Sequence, residues 1–173
     1  MAPFSGFARL AVAGLAALGL IAVFQAPACA EDSNPFSLIE SQPISETWLN
    51  PGFYSYHWQR DLGLNGNNYG IGAEYRFSTV ASATVGEFYN SDRDTSKYLG
   101  IYYQPVAVGP VRLGAALGVF DGYPKMRNGG WFLAAIPVAS YEYERVGLNV
   151  SFVPSYKDRL YGALSFQLKV KVF

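Results

Sequence analysis

The sequence predicts an all-β fold, an eight-stranded antiparallel up-and-down transmembrane β-barrel of the bacterial outer membrane. Three observations predict it. Residues 1–30 have the layout of an export signal. Eight later stretches alternate apolar and polar residues over close to the roughly 9–11 residues that a tilted membrane strand requires. The last of them, Ala163-Leu164-Ser165-Phe166-Gln167-Leu168-Lys169-Val170-Lys171-Val172-Phe173, stops on an aromatic residue. Successive strand side chains point to opposite faces. Leu164, Phe166, Leu168, Val170 and Val172 therefore share one face, and Ser165, Gln167, Lys169 and Lys171 the other. Phe173 breaks the alternation it ends.

The export signal has one basic residue, Arg9, an apolar stretch over 10–24, and the small-x-small site Ala28-Cys29-Ala30. That stretch is shorter than the roughly 20 residues a membrane helix needs, so it reads as a signal peptide cleaved after Ala30. Acylation of Cys29 is the competing reading, but Ala26 stands where a lipoprotein signal wants a Leu-like residue. Cys29 is the only cysteine. The mature chain then has no thiol, which excludes disulfides, thiol catalysis and Cys metal sites. All thirteen acidic residues and twelve of the thirteen basic ones follow Ala30, leaving a charge near −1. Such a balance gives no footprint for nucleic acid.

Alternation and turn residues place strands at 53–61, 68–78, 81–89, 96–105, 111–120, 131–144, 146–153 and 160–173. In the second, Tyr69, Ile71, Ala73, Tyr75 and Phe77 oppose Asn68, Gly70, Gly72, Glu74 and Arg76. In the fifth, Val111, Leu113, Ala115, Leu117 and Val119 oppose Arg112, Gly114, Ala116 and Gly118. The phase of the third is ambiguous, because Glu87 conflicts with Ala83 and Val85. Helical periodicity is weak except over 36–49, where Pro43 interrupts it. Residues 31–50 are thus expected as an N-terminal periplasmic segment with a short amphipathic helix, and 51–173 as the barrel.

The connectors alternate in character. Those at 78–80, 106–110 and 145–147 are short, while 62–67, 90–95, 121–130 and 154–159 are longer and carry most of the loop charge. Short periplasmic turns and long outer loops are the pattern of outer-membrane barrels. A soluble eight-stranded ligand carrier is the competing fold. It has no need of outward apolar residues on nearly every strand, whereas lipid does. The interior of eight strands holds side chains or one small ligand, so a pore is not expected.

Polar groups facing inward near the outer rim are the candidates for chemistry. His57, the only histidine, lies in phase with Phe53, Ser55 and Gln59 and opposite Tyr54, Tyr56 and Trp58. Asn90-Ser91-Asp92-Arg93-Asp94 falls at the outer end of the third strand. A serine hydroxyl, a histidine base and a carboxylate or amide are what acyl transfer needs. The plain alternatives are a lumen histidine bonded to a neighbour and ordinary Asn-Ser-Asp turn chemistry. Glycines 70, 72, 100, 114 and 118 either leave room for a chain or let a tight barrel bend. Asn149-Val150-Ser151 matches a glycosylation sequon by chance, and no metal cluster is present.

These residues resemble the lipid A palmitoyltransferases of Gram-negative outer membranes (the PagP family). Thr47-Trp48-x-x-Pro51, followed by a Tyr-rich strand with His57, is similar to the family's first strand and its catalytic histidine. Phe88-Tyr89-Asn90-Ser91 resembles the segment holding the family's catalytic Asp and Ser, with Asn90 at the Asp position. Gly70-Ile71-Gly72 is similar to its second strand. Pro137 and Pro154, seventeen positions apart, match a family spacing that interrupts strand pairing and opens a lateral path for lipid. The resemblance spans most of 47–173 and implies His57, Asn90 and Ser91 as catalytic residues, with Pro137 and Pro154 at the lipid access. Asn90 cannot act as a carboxylate, which leaves either Asp92 or Asp94 to substitute or the activity to be lost. The family's other proline pair has no counterpart between Phe53 and Ser78.

The resemblance implies transfer of an acyl chain from a phospholipid donor to a lipid A acceptor, with no cofactor and no metal. Arg93, Lys125, Arg127, Lys157 and Arg159 suit lipid A phosphates, or simply water. An acyl-ester hydrolase and a non-catalytic structural or surface-interaction barrel are the alternatives. A final Phe on such a strand resembles the signal read by the barrel assembly machinery, which makes Phe173 the contact for that partner. A monomer is expected.

Overall fold

The computed structural model describes residues 34–173. The expected export signal, with Cys29, lies outside the described residues. A short strand, β1 (Phe36–Leu38), precedes β2 (Pro43–His57), β3 (Asn67–Ser78), β4 (Ala81–Tyr89), β5 (Thr95–Val108), β6 (Val111–Phe120), β7 (Phe132–Tyr143), β8 (Val146–Val153) and β9 (Ala163–Lys171). From β2 onward each strand pairs antiparallel with the next, and β9 returns to β2, closing an eight-stranded up-and-down barrel. Turns of two residues, at 79–80, 109–110 and 144–145, sit at one end, and the long loops at the other.

Alternation decides which side chains enter the barrel. Tyr54, Tyr69, Ile71, Val85, Leu99, Ile101, Leu117, Leu133, Leu168 and Val170 are exposed on its outer wall. The interior divides into two halves. Near the short turns it is a buried ion-pair cluster. Arg76 bonds Glu46 at 3.0 Å and holds Glu142 through both guanidinium nitrogens. Arg112 meets Glu142 at 2.9 Å, Lys169 meets Glu74 at 2.7 Å and Glu142 at 3.0 Å, and Lys171 meets Glu46 at 3.1 Å. The Trp48 ring, 1 % exposed, faces Lys169, Arg76 and Lys171 at 4.8, 5.4 and 5.5 Å. Every charge has an opposite partner, as burial demands.

The residues before Pro51 correct two expectations. The segment with helical periodicity is extended, and the barrel wall begins at Pro43 rather than at 51. Its inward residues, Glu46, Trp48 and Asn50, look amphipathic in sequence. Arg76 and Lys171 on neighbouring strands give Glu46 partners that make an inward carboxylate affordable. β1 fills the edge that β5 exposes beyond β4, pairing Phe36 with Val108 and Leu38 with Val106. Gln42 and Thr79 then bond reciprocally: the Gln42 N–H donates to Thr79 Oγ1 at 3.0 Å, and the Thr79 N–H to the Gln42 carbonyl at 2.9 Å.

The phase of β4 also resolves. Ser82, Thr84 and Phe88 point inward, and Glu87 points out, directly opposite Lys97 of β5. Opposite charges placed across a ladder are favourable, so this carboxylate needs no lumen partner. At the other terminus the regular ladder of β9 ends at Lys171, and Val172 and Phe173 bond to Thr47 instead. That change of pairing accompanies the break in alternation at Phe173.

Candidate functional site

Above the ion-pair cluster the lumen opens into a cavity with about 1140 Å³ of empty space, its open mouth included. One wall is aromatic. Phe53 of β2, Phe88 of β4, Tyr98 of β5, Phe120 of β6 and Phe132 of β7 follow one another at centroid distances of 4.6 to 6.1 Å. The opposite wall is made of small residues from β8, β9 and β2, including Ser151, Ala163, Ser165 and Ser55. The glycines divide between the two readings given them. Gly100 and Gly118 line the cavity and leave room, whereas a Cβ at Gly72 or Gly86 would strike the Tyr98 hydroxyl at 2.1 or 2.6 Å. Those two are spaces for a tyrosine laid against the wall.

His57 and Ser91 meet at the mouth, Ser91 Oγ lying 3.0 Å from His57 Nε2. His57 is the last residue of β2, and Ser91 is the second residue of the loop after β4. Asn65, to which the sequence reading assigned no role, joins the two. Its N–H donates to the Ser91 carbonyl at 3.0 Å and its side-chain amide to the Asn90 carbonyl at 3.1 Å. Its own carbonyl stands 3.3 Å from His57 Nε2. The only signal for it in the sequence is an Asn-Gly-Asn turn.

A carbonyl only accepts, so the Asn65 contact favours a proton on Nε2. With the proton on Nδ1 instead, the Ser91 hydroxyl donates to Nε2, the arrangement that activates a nucleophile. Nδ1 is buried and has no hydrogen-bond partner among the described residues. Among the described residues the pair is a dyad without an orienting carboxylate.

Asn90 belongs to the loop and not to the dyad. Its side-chain amide donates to Ser96 Oγ at 2.9 Å and to the Gly122 carbonyl at 2.7 Å. Its side-chain oxygen accepts from the Asp92 and Asp94 N–H groups at 2.9 and 3.0 Å. The side chain is 0 % exposed, and its amide protons are spent. An aspartate could not make the two donated bonds, which explains an amide at this position. Of the carboxylates that could substitute, Asp92 lines the cavity mouth beside His57 and Ser91. Asp94 instead accepts the Thr95 N–H at 2.7 Å.

Arg159, Tyr123 and Tyr161 complete the mouth, and among the described residues Arg159 is the one Arg or Lys lining the cavity. Burial, and secondarily the charge of Asp92, push the Tyr123 phenol up, so it stays a neutral donor. Lys125 donates to the Tyr161 hydroxyl at 2.6 Å, and that bond holds its ammonium above the ordinary value.

Pro137 and Pro154 flank a gap in the wall. The β7–β8 ladder runs from Tyr143↔Val146 to Val138↔Ser151 and stops one residue short of Pro137. Residues 132–137 pair only with β6, and residues 152–153 only with β9. Pro154 begins the loop just past β8. Proline cannot donate to a ladder, which accounts for the stop. A second interruption, not anticipated, falls between β2 and β9, whose pairing skips from Leu49↔Val170 to Tyr54↔Phe166. It coincides with Pro51 and with Gly52, whose φ of +96° and approach to the Asn68 carbonyl admit no side chain.

The fold and site together define a closed β-barrel with a histidine–serine dyad at the mouth of a largely apolar cavity. No protein-family model matches the chain, and no curated protein matches it in sequence.

Proposed function

We propose that this chain is an outer-membrane acyltransferase of the lipid A palmitoyltransferase kind, moving an acyl chain from a phospholipid to lipid A. The observation that carries the reading is the 3.0 Å contact between Ser91 Oγ and His57 Nε2 at the mouth of a cavity able to hold an alkyl chain. Placement in a membrane rests on the exposed apolar wall. Tyr54, Tyr56, Trp58, Tyr69 and Trp131 ring its long-loop end, and Tyr75, Phe77, Tyr141 and Tyr143 its short-turn end, as interfacial aromatic girdles do. Among the described residues no helix is long and apolar enough to cross a membrane.

The donor enters sideways between β7 and β8, where unpaired backbone groups would be costly against pure hydrocarbon. Its acyl chain occupies the cavity and its ester carbonyl comes to Ser91. Ser91 Oγ attacks the carbonyl carbon while His57 Nε2 takes the hydroxyl proton. That proton passes to the leaving glycerol oxygen, and lysophospholipid departs. An acceptor hydroxyl on lipid A then gives its proton to His57 as its oxygen bonds the acyl carbon, and His57 returns that proton to Ser91 Oγ as the acyl–serine bond breaks. Arg159 at the rim suits a lipid phosphate. Water in place of the acceptor would make the same dyad a hydrolase, a reading favoured by the open mouth of the cavity.

Mass spectrometry of lipid A from cells expressing the chain tests this. The expected result is a gain of one acyl chain, lowered about 10²–10⁴-fold in rate by His57→Ala and abolished by Ser91→Ala. A loss of acyl mass supports hydrolysis, and no change in any sample leaves a non-catalytic barrel.

A further inference from the structure

The gap between β7 and β8 is bordered at its outer end by two loops, 121–131 leading into β7 and 154–162 leaving β8. Each carries two cations and one carboxylate: Lys125, Arg127 and Asp121 in the first, Lys157, Arg159 and Asp158 in the second. The loops on the far side, 58–66 and 90–94, hold two cations and three carboxylates between them. The long-loop end is thus positive at the gap and negative across the barrel from it. Asp121 turns away from the gap, accepting the Lys97 N–H of β5. The four cations are exposed, and among the described residues none has a carboxylate partner. Every ion pair there belongs to the cluster at the short-turn end.

Three contacts tie these cations to the gap. Lys125 donates to the Tyr161 hydroxyl at 2.6 Å, which joins the two loops to each other. The Lys157 ammonium lies 5.6 Å from the centroid of the Tyr156 ring, and Arg159 reaches the cavity mouth. On the outer wall beside the gap, Trp131 and Leu133 are exposed on one edge and Phe152 on the other. An apolar wall topped by aromatic rings and cations marks the level of lipid headgroups. An anionic headgroup there is attracted through its phosphate, for which arginine is the better partner. A zwitterionic one brings an ammonium into the same positive field and loses part of that attraction.

We propose that the two loops form a headgroup site that selects an anionic phospholipid, of the phosphatidylglycerol kind, as acyl donor over zwitterionic phosphatidylethanolamine. This deepens the acyl-transfer reading and rests on it for the donor's entry between β7 and β8. Lipid A presents the same phosphate chemistry. The site is assigned to the donor because it crowns the gap through which the donor passes, with Arg159 at the mouth where its ester must arrive.

The test is native mass spectrometry of the purified full-length chain from detergent micelles, offered equal amounts of dipalmitoyl phosphatidylglycerol and dipalmitoyl phosphatidylethanolamine. A few exposed charge contacts predict adducts favouring the anionic lipid by about threefold to tenfold at low salt, fading as ammonium acetate is raised. Lys157→Gln combined with Arg159→Gln lowers that ratio at least twofold, and Arg127→Gln alone lowers it partway should the double variant not fold. Arg93→Gln leaves it unchanged, because that guanidinium bonds the Gly63 carbonyl on the far side. Equal adducts, an excess of phosphatidylethanolamine, no adduct with either lipid, or the same fall in Arg93→Gln overturns the proposal. Lipid A that displaces the phosphatidylglycerol adduct assigns the cations to the acceptor and overturns it too. Binding needs no catalysis, so the two ideas fail separately. Lipid A acylation with equal adducts sinks the headgroup selection alone, and an anionic preference without any acylation sinks the transfer alone.

Discussion

Asn90 shows how one residue can sit in a catalytic-looking motif and serve the loop that carries it. Two donated and two accepted bonds fix the turn that presents Ser91 to His57. Asn90→Asp would replace two buried donors with a charge facing the Gly122 carbonyl. Leaving such groups unsatisfied costs about 1–3 kcal/mol, more for charged ones. The expected outcome is a lower urea midpoint in vesicle refolding and no gain in acyl transfer; higher activity would place Asn90 in the chemistry after all. Asp92 is the carboxylate at the mouth, so Asp92→Asn should slow lipid A acylation more than Asp94→Asn, read by mass spectrometry at equal protein levels. At the dyad itself the serine and histidine types were legible as chemistry. The tautomer question was not, because it depends on a carbonyl brought in by Asn65.

At the scale of elements, the wall is uneven where proline interrupts pairing. Backbone amides of β7 beyond the gap, at 132–136, lack β8 partners, whereas 138–141 are paired on both sides. Hydrogen exchange in detergent should therefore be faster for the first group than for the second, and uniform protection along β7 would mean that the wall is closed. Three of the eight strands, at 81–89, 111–120 and 146–153, have the bounds that alternation predicts, since clean apolar and polar faces end at turn residues. β2 does not. Its first eight residues carry an inward asparagine and an inward glutamate, the latter acceptable because of cations from β3 and β9.

At the scale of the molecule, a charged half and a hollow half share one barrel. The ion-pair cluster closes the short-turn end, so the cavity is a blind pocket with its mouth at the dyad. Arg76 holds Glu46 and Glu142 together and stands 3.6 Å from Glu74. Arg76→Ala would leave those carboxylates short of positive charge. Removing one partner of a buried pair costs about 3–5 kcal/mol, which should appear as a clear drop in the temperature at which the folded band on an unheated gel converts to the unfolded one. A change near zero would mean that water already screens the cluster.

By itself the sequence determined the class of fold, because period-two alternation records which face of each strand meets an apolar surround and which meets the lumen. It determined the lumen face of His57 and the place of the β7–β8 weak point, since proline removes a ladder donor wherever it stands. Only the tertiary structure decided that Ser91 and His57 touch and that Asn90 does not join them. Those are relations between strands, set by register and closure, and no local pattern along one strand encodes which residue of its neighbour lies opposite.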